Sequence, residues 1–204
     1  MKEPDIQLVR DNDEITLYID GGQAMQGWEA DLMRQSADIL CTYGTEFLEV
    51  GLGLGISALH IAANPGTRKH TVVEKYQRVI DLFRERYPSP PPVLEIVQSD
   101  FFDYVYKLEP SSLDGIFFDP FFGGTSIWED SAIWNEVMPR VVTALRPGGV
   151  FMPCFSTFPV LRQNCVPFFD RIIVERRSYR TYAGTNYTPA LSGDAFIQCF
   201  VRTR

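Results

Sequence analysis

An apolar run that ends in an acid and breaks into alternate glycines, Phe47-Leu48-Glu49-Val50-Gly51-Leu52-Gly53-Leu54-Gly55-Ile56, leaves this chain few folds to choose from. The next residues, Ser57-Ala58-Leu59-His60-Ile61-Ala62-Ala63, read as a helix. A strand, glycine turn and helix in that order let bare backbone pass close under a nucleoside-bearing ligand. Glycine permits the tight turn, and a side chain at Gly51 or Gly53 is expected to project into the ligand's space. The spacing is G-x-G-x-G, and a dinucleotide fingerprint needs a further glycine where Ile56 stands. That departure argues against NAD and for a smaller adenosyl cofactor. On this motif alone, an ordinary glycine-rich turn would look the same.

Strand and helix patterns alternate after the turn. His70 to Glu74 reads as a strand and Tyr76 to Tyr87 as an amphipathic helix with Val79, Ile80, Leu82 and Phe83 inward. Pro88-Ser89-Pro90-Pro91-Pro92 stops that helix. Val93 to Val97 and Gly115 to Asp119 are further strands, and Ser131 to Leu145 is a helix ended by Arg146-Pro147-Gly148-Gly149. Val150 to Phe155 resumes the sheet. Arg171 to Tyr179 and Ala195 to Arg202 have no helix between them and close the edge as a hairpin. The expected fold is α/β: a doubly wound, seven-stranded, mostly parallel sheet with an antiparallel C-terminal hairpin. At 204 residues the chain is expected to be one domain. Residues 1–44, with a helix around Trp28 to Leu40, would form a helical cap over the site, and residues 45–204 the cofactor-binding core.

Charge and composition remove several functions. A net charge of −7 argues against a broad phosphate-binding face, hence against nucleic acid as partner. The basic cluster from Arg171 to Arg180 reads as a solvated strand face. No run is apolar and long enough to span a bilayer, and Met1-Lys2-Glu3-Pro4-Asp5 does not read as a signal peptide. Cys41, Cys154, Cys165 and Cys199 are scattered, without a C-x-x-C pair, which suits a reducing cytoplasm. His60 and His70 have no ligand constellation around them, so no metal is expected.

In doubly wound sheets, ligands bind beyond the carboxyl ends of the strands. Glu49, Glu74, Asp100 and Asp119 all fall at or near such ends. Glu74 lies about 20 residues beyond the glycines, where a carboxylate can accept both ribose hydroxyls. Ser99-Asp100 ends the next strand, where an adenine ring would lie. Phe101 or Phe102 could pack on that ring or equally well in the core.

Taken in order, Glu49-x-Gly51-x-Gly53-x-Gly55, Glu74, Ser99-Asp100, Asp119, the Leu145 to Gly149 turn and the terminal hairpin resemble the class I S-adenosylmethionine-dependent methyltransferases. Ala24-Met25-Gln26-Gly27-Trp28-Glu29-Ala30-Asp31-Leu32-Met33 further resembles the entrance motif of the guanidinoacetate N-methyltransferases and related arginine delta-N-methyltransferases. The resemblance implies S-adenosylmethionine as cofactor, with Met25, Met33, Glu49, Gly51, Leu52, Gly53, Gly55, Ile56, Glu74, Lys75, Ser99, Asp100 and Asp119 around it. It implies Glu29 and Asp119 as catalytic carboxylates, and Trp28, Glu29, Asp119, Ser156 and Thr157 around a small guanidino substrate. A homodimer is compatible with the chain.

The chemistry suits those residues. A guanidinium presents N–H donors in a planar fork that carboxylates can hold bidentately. Methyl transfer from a sulfonium needs a nitrogen lone pair, which a guanidinium lacks. Glu29 and Asp119 would localise the charge on the distal nitrogens and accept a proton as the bond forms. A competing reading comes from Asp119-Pro120-Phe121-Phe122, which resembles the Asp/Asn-Pro-Pro-Tyr/Phe motif of methyltransferases acting on amide or adenine nitrogens. Binding without catalysis and NAD-dependent redox chemistry fit fewer of these residues.

Overall fold

A computed structural model describes residues 4–123 and 127–204; Met1 to Glu3 and residues 124–126 lie outside the described residues. The chain opens with three antiparallel strands, β1 (Ile6–Asp11), β2 (Glu14–Ile19) and β3 (Gly22–Gln26), paired in the order β1-β2-β3. A 3-10 turn over Gly27–Glu29 leads into α1 (Ala30–Cys41). Then come β4 (Glu46–Val50), α2 (Ile56–Ala63), β5 (Lys69–Glu74), α3 (Gln77–Arg86), β6 (Leu94–Gln98) and the short α4 (Phe101–Tyr104). They are followed by β7 (Leu113–Phe118), α5 (Ser131–Ala144), β8 (Leu145–Pro153), β9 (Arg171–Arg180) and β10 (Ser192–Val201).

Among the described residues, the second sheet has seven strands in the order β6-β5-β4-β7-β8-β10-β9. Its first five strands run parallel, and β10 pairs antiparallel with both β8 and β9. The expected doubly wound sheet with a closing hairpin is therefore borne out. Alternation along each strand splits the core in two. Phe47, Val72, Phe117 and Met152 face α1, α2 and α3, whereas Leu48, Val73, Phe118 and Phe151 face α4 and α5. With both faces covered, the strands read as continuous apolar runs rather than as alternating ones.

Two expectations are corrected. The segment before Trp28 is not helical, since residues 6–26 hold three strands, whereas the helix expected around Trp28 to Leu40 is present as α1. β1 has mostly exposed or half-buried residues, so it carries no apolar run of the kind that marked the central strands. The Arg146 to Gly149 turn is also not a separate loop. It is a bulge inside β8, where pairing with β7 jumps from Leu113↔Leu145 to Gly115↔Val150.

Gly55 starts α2 in the left-handed region at φ +75°, and a Cβ there would collide with the Phe83 ring of α3. Gly55→Ala is expected to destabilise the fold by about 2–4 kcal/mol, the sum of a left-handed penalty and overpacking. Urea denaturation reads the shift, and adding Phe83→Leu should recover part of it.

Candidate functional site

A cavity of about 760 Å³ lies beyond the carboxyl ends of β4, β5, β6 and β7, with β2 and β3 forming its other wall. It has two chemically different ends.

At the first end, Glu74 accepts the backbone N–H of Leu52 (2.8 Å) and of Tyr76 (2.9 Å), one at each carboxylate oxygen. Burial raises its pKa against the opposing pull of those amides. Lys75 donates to Asp100 (2.9 Å), a bond that raises the lysine's own pKa, and Asp100 caps α4 by accepting from Phe102 N (2.9 Å). Glu74, Lys75, Ser99, Asp100, Phe101 and Phe102 all line the cavity. Met25, Gly51 and Gly53 line it as well, and the Leu54 N–H donates to the Met25 sulfur (3.2 Å).

The structure adds a further reason for the glycines. A Cβ on Gly51, at φ +89°, would meet the Asp119 backbone carbonyl, and one on Gly53, at φ +50°, would sit 2.6 Å from the Met25 sulfur. Both glycines line the cavity and also let other parts of the protein come close.

At the other end, Asp119 lines the cavity and Glu29 is buried beside it. Glu29 closes the 3-10 turn, where its carboxylate accepts from Gln26 N (2.6 Å). The Gln26 side chain accepts the Trp28 indole N–H (2.9 Å), which fixes the tryptophan. Burial, then the Asp119 charge, push the Glu29 carboxyl up to about 8 against the Gln26 bond. Burial also pushes Asp119 up to about 7, although the Cys154 thiol donates to it. Trp28 packs against Phe155, Tyr179 and Tyr187, with ring centroids 5.9–6.2 Å apart, and the Tyr187 hydroxyl donates to Phe155 O (2.8 Å). The Gln23 carboxamide joins the N-terminal sheet to the β9–β10 loop, donating to Gly184 O (2.9 Å) and accepting from Asn186 N (2.7 Å).

Several expected residues stand elsewhere. Met33 is buried in the core against the sheet and does not line the cavity. Glu49 is 1% exposed beneath α2, where it accepts from the Ser57 hydroxyl and lies 3.1 Å from His70 Nε2. Leu52, Gly55 and Ile56 shape the turn without lining the cavity. Nor do Trp28, Glu29, Ser156 and Thr157 line it: Glu29 is buried, Ser156 bridges to Phe196, and the Ser156 hydroxyl accepts from Phe158 N (3.1 Å). Sequence reasoning missed Gln23, Cys154 and Tyr187. Cys154 falls inside the stretch expected to resume the sheet and directly follows β8 as observed, so its place at a strand end was a usable signal, whereas Tyr187 sits in a loop that offers none.

A profile of the guanidinoacetate N-methyltransferase family matches residues 5–161, most of the chain and both carboxylates. The chain belongs to that family. A protein arginine N-methyltransferase 2 from Cryptococcus neoformans is 27% identical over 157 residues, covering 66% of this chain and 43% of that protein. The chain thus spans less than half the length of that curated relative. Among solved structures, the spermidine synthase of Thermotoga maritima superposes with a TM-score of 0.71 at 16% identity, covering 98% of this chain and 70% of that one. A spermidine synthase in complex with the transition-state analogue AdoDATO gives 0.72 at 15% identity, covering 98% and 71%. At such identities the likeness is one of fold.

The buried Glu29 carboxyl has a consequence for stability. Its folded pKa lies near 8 against an ordinary 4.5, so its contribution is full below about pH 4.5 and is lost as pH rises through 8. The melting temperature of the ligand-free protein should therefore fall between about pH 5.5 and 8.5. The neutral isostere Glu29→Gln should flatten much of that fall, and parallel wild-type and mutant curves would contradict it.

Proposed function

We propose that this protein is an S-adenosylmethionine-dependent N-methyltransferase whose acceptor is a small guanidino compound, such as guanidinoacetate or arginine. The observation that carries this reading is the pair Glu29 and Asp119. Both have raised pKa values: Asp119 lines one end of a cavity whose other end is built on a glycine turn, and Glu29, which does not itself line that cavity, is buried near enough for the Asp119 charge to bear on it. Neither is in an ion pair among the described residues, and a bound planar cation would satisfy both.

The first end suits a nucleoside without phosphates. It offers the Glu74 and Asp100 carboxylates, its lysine is bonded to Asp100, and aromatic Phe101 and Phe102 line it. Glu74 would accept ribose hydroxyls, with Ser99 and Asp100 near the base and Met25, Gly51 and Gly53 along the methionine portion. Bound there, S-adenosylmethionine supplies a methyl group on a positively charged sulfur that departs as a neutral thioether.

The chain's own residues do the rest. Glu29 and Asp119 grip the N–H groups of the acceptor and draw its positive charge away from the attacked nitrogen. As the nitrogen–carbon bond forms, one carboxylate takes the proton which that nitrogen releases. Trp28, Phe155 and Tyr187 keep water from the pair, so the electrostatic grip is strong. The whole is proposed to act as one domain in the cytoplasm on a small molecule.

A second reading rests on Phe121 and Phe122, which line the cavity next to Asp119 and would suit a flat amide or nucleobase. It leaves the buried Glu29 without a task, because a neutral amide does not discharge a second carboxylate.

Methyl-labelled cofactor incubated with guanidinoacetate and with arginine should deliver label to a small product. Label found only in protein or nucleic acid would favour the second reading. Glu29→Gln and Asp119→Asn should each lower kcat by about 100-fold or more while cofactor affinity changes little. Because both carboxylates must be ionised, kcat/KM should climb from about pH 6 to about pH 8.5. A flat profile would contradict the assigned roles.

A further inference from the structure

Arg162 stands at the acceptor end and has no part in the methyl-transfer chemistry above. Its segment is pinned to β10. Arg162 N donates to Gln198 Oε1 (3.0 Å), and the buried Gln198 in turn donates to Val160 O (2.9 Å). The guanidinium lies 4.4 Å over the Trp128 ring, which itself stacks on Trp134 at 4.6 Å and 8°. The Trp134 indole N–H donates to the carbonyl of Ile127, a residue that lines the cavity. The cation is thus held on a rigid aromatic platform beside the site.

Its polar atoms are nonetheless unmet. Arg162 Nε is fully buried without a hydrogen-bond partner, and among the described residues no carboxylate lies within ion-pair distance of the side chain. A buried donor left unpaired is costly and rare, so it calls for a partner. Trp128, on which the guanidinium lies, packs against Phe118 (ring centroids 5.5 Å apart), the residue before Asp119, and the guanidinium's charge bears on Asp119, Cys154 and Tyr187. The cavity's own lysine, Lys75, is bonded to Asp100. Of the residues that the resemblance assigned to the substrate's acid group, Ser156 is already held by Phe196 and Phe158.

We propose that Arg162 is a specificity-determining residue that takes the carboxylate of an acidic guanidino acceptor, at the end opposite to the one gripped by Glu29 and Asp119. This rests on the guanidino reading above and narrows it. With such a substrate every charge in the chamber is met: the guanidinium by two carboxylates, the acid by a planar fork suited to bidentate pairing. Free guanidino acids are then preferred over guanidines without an acid group and over arginine within a peptide.

The test compares guanidinoacetate with ethylguanidine, an acceptor of similar length without the carboxylate. Wild-type protein should show the lower KM for guanidinoacetate. Arg162→Met keeps an apolar stem over Trp128 but removes the charge. It should raise KM for guanidinoacetate by about 10- to 100-fold beyond any change seen with ethylguanidine, and Arg162→Lys should fall between. Equal shifts on both acceptors, or none, would overturn the assignment, because a residue that merely supported Asp119 would affect both alike. Equal wild-type KM values for the two acceptors would overturn it while leaving the guanidino reading intact. Wild-type protein that binds S-adenosylmethionine by calorimetry yet neither binds nor methylates either acceptor would overturn both.

Discussion

The close passage of Gly51 beneath the Asp119 carbonyl is the contact on which the site depends. Strands β4 and β7 run side by side, and at their carboxyl ends Asp119 N donates to Val50 O (2.9 Å) while Gly51 N donates to Val73 O (2.9 Å). The tip of the central strand is thereby tied to both neighbours. Because residue 51 has no side chain, the chain leaving β7 can cross directly over the turn. That crossing puts Asp119 on the cavity wall, next to Pro120, Phe121 and Phe122. Donor and acceptor ends meet at one backbone contact, so the geometry of one cannot drift without the other.

A second constraint is electrostatic. Burying Glu29 beside Asp119 without a cation costs folding energy, and the raised pKa values of both carboxyls express that cost. On the reading proposed above, that cost becomes a means of selecting the ligand. A site that favours protonation when empty and ionisation when a cation arrives gains its full electrostatic benefit only from that cation. The aromatic packing of Trp28, Phe155 and Tyr187 sharpens the choice by keeping the dielectric low.

The central sheet was legible because its strands are covered on both faces and read as apolar runs bounded by glycine and proline. The N-terminal sheet was not, because β1 and much of β2 are exposed or half-buried and depart from that pattern. That Glu74, Lys75, Ser99 and Asp100 line the cavity was legible, since each lies at or just after the end of a strand, a local property. The same rule misplaced Glu49. Strand alternation sets residue 49 on the face of Phe47, under α2 and against Ser57 and His70, one residue short of the cavity. Glu29 could be placed only through the family motif, because nothing in its neighbours announces a buried carboxylate. Tyr187, Gln23 and Arg162 act through partners far along the chain and leave no periodic trace.

That contrast between the two ends explains how one fold accommodates different acceptors. The likeness to spermidine synthases spans nearly the whole chain at 15–16% identity, which shows a shared framework and nothing of the acceptor. The framework here consists of strand ends, which arrange Glu74, Asp100 and the glycines by topology alone. The acceptor end is assembled from segments remote in sequence: the turn after β3, the exit of β7, the residues after β8 and the β9–β10 loop. Gln23 bonds to that loop across 161 and 163 positions, so the N-terminal sheet and the hairpin loop are held as one wall. Each of these segments lies outside the parallel strands of the framework, or just at their ends, and can change without disturbing their pairing. Acceptor identity can thus diverge while the cofactor end stays as the sheet dictates.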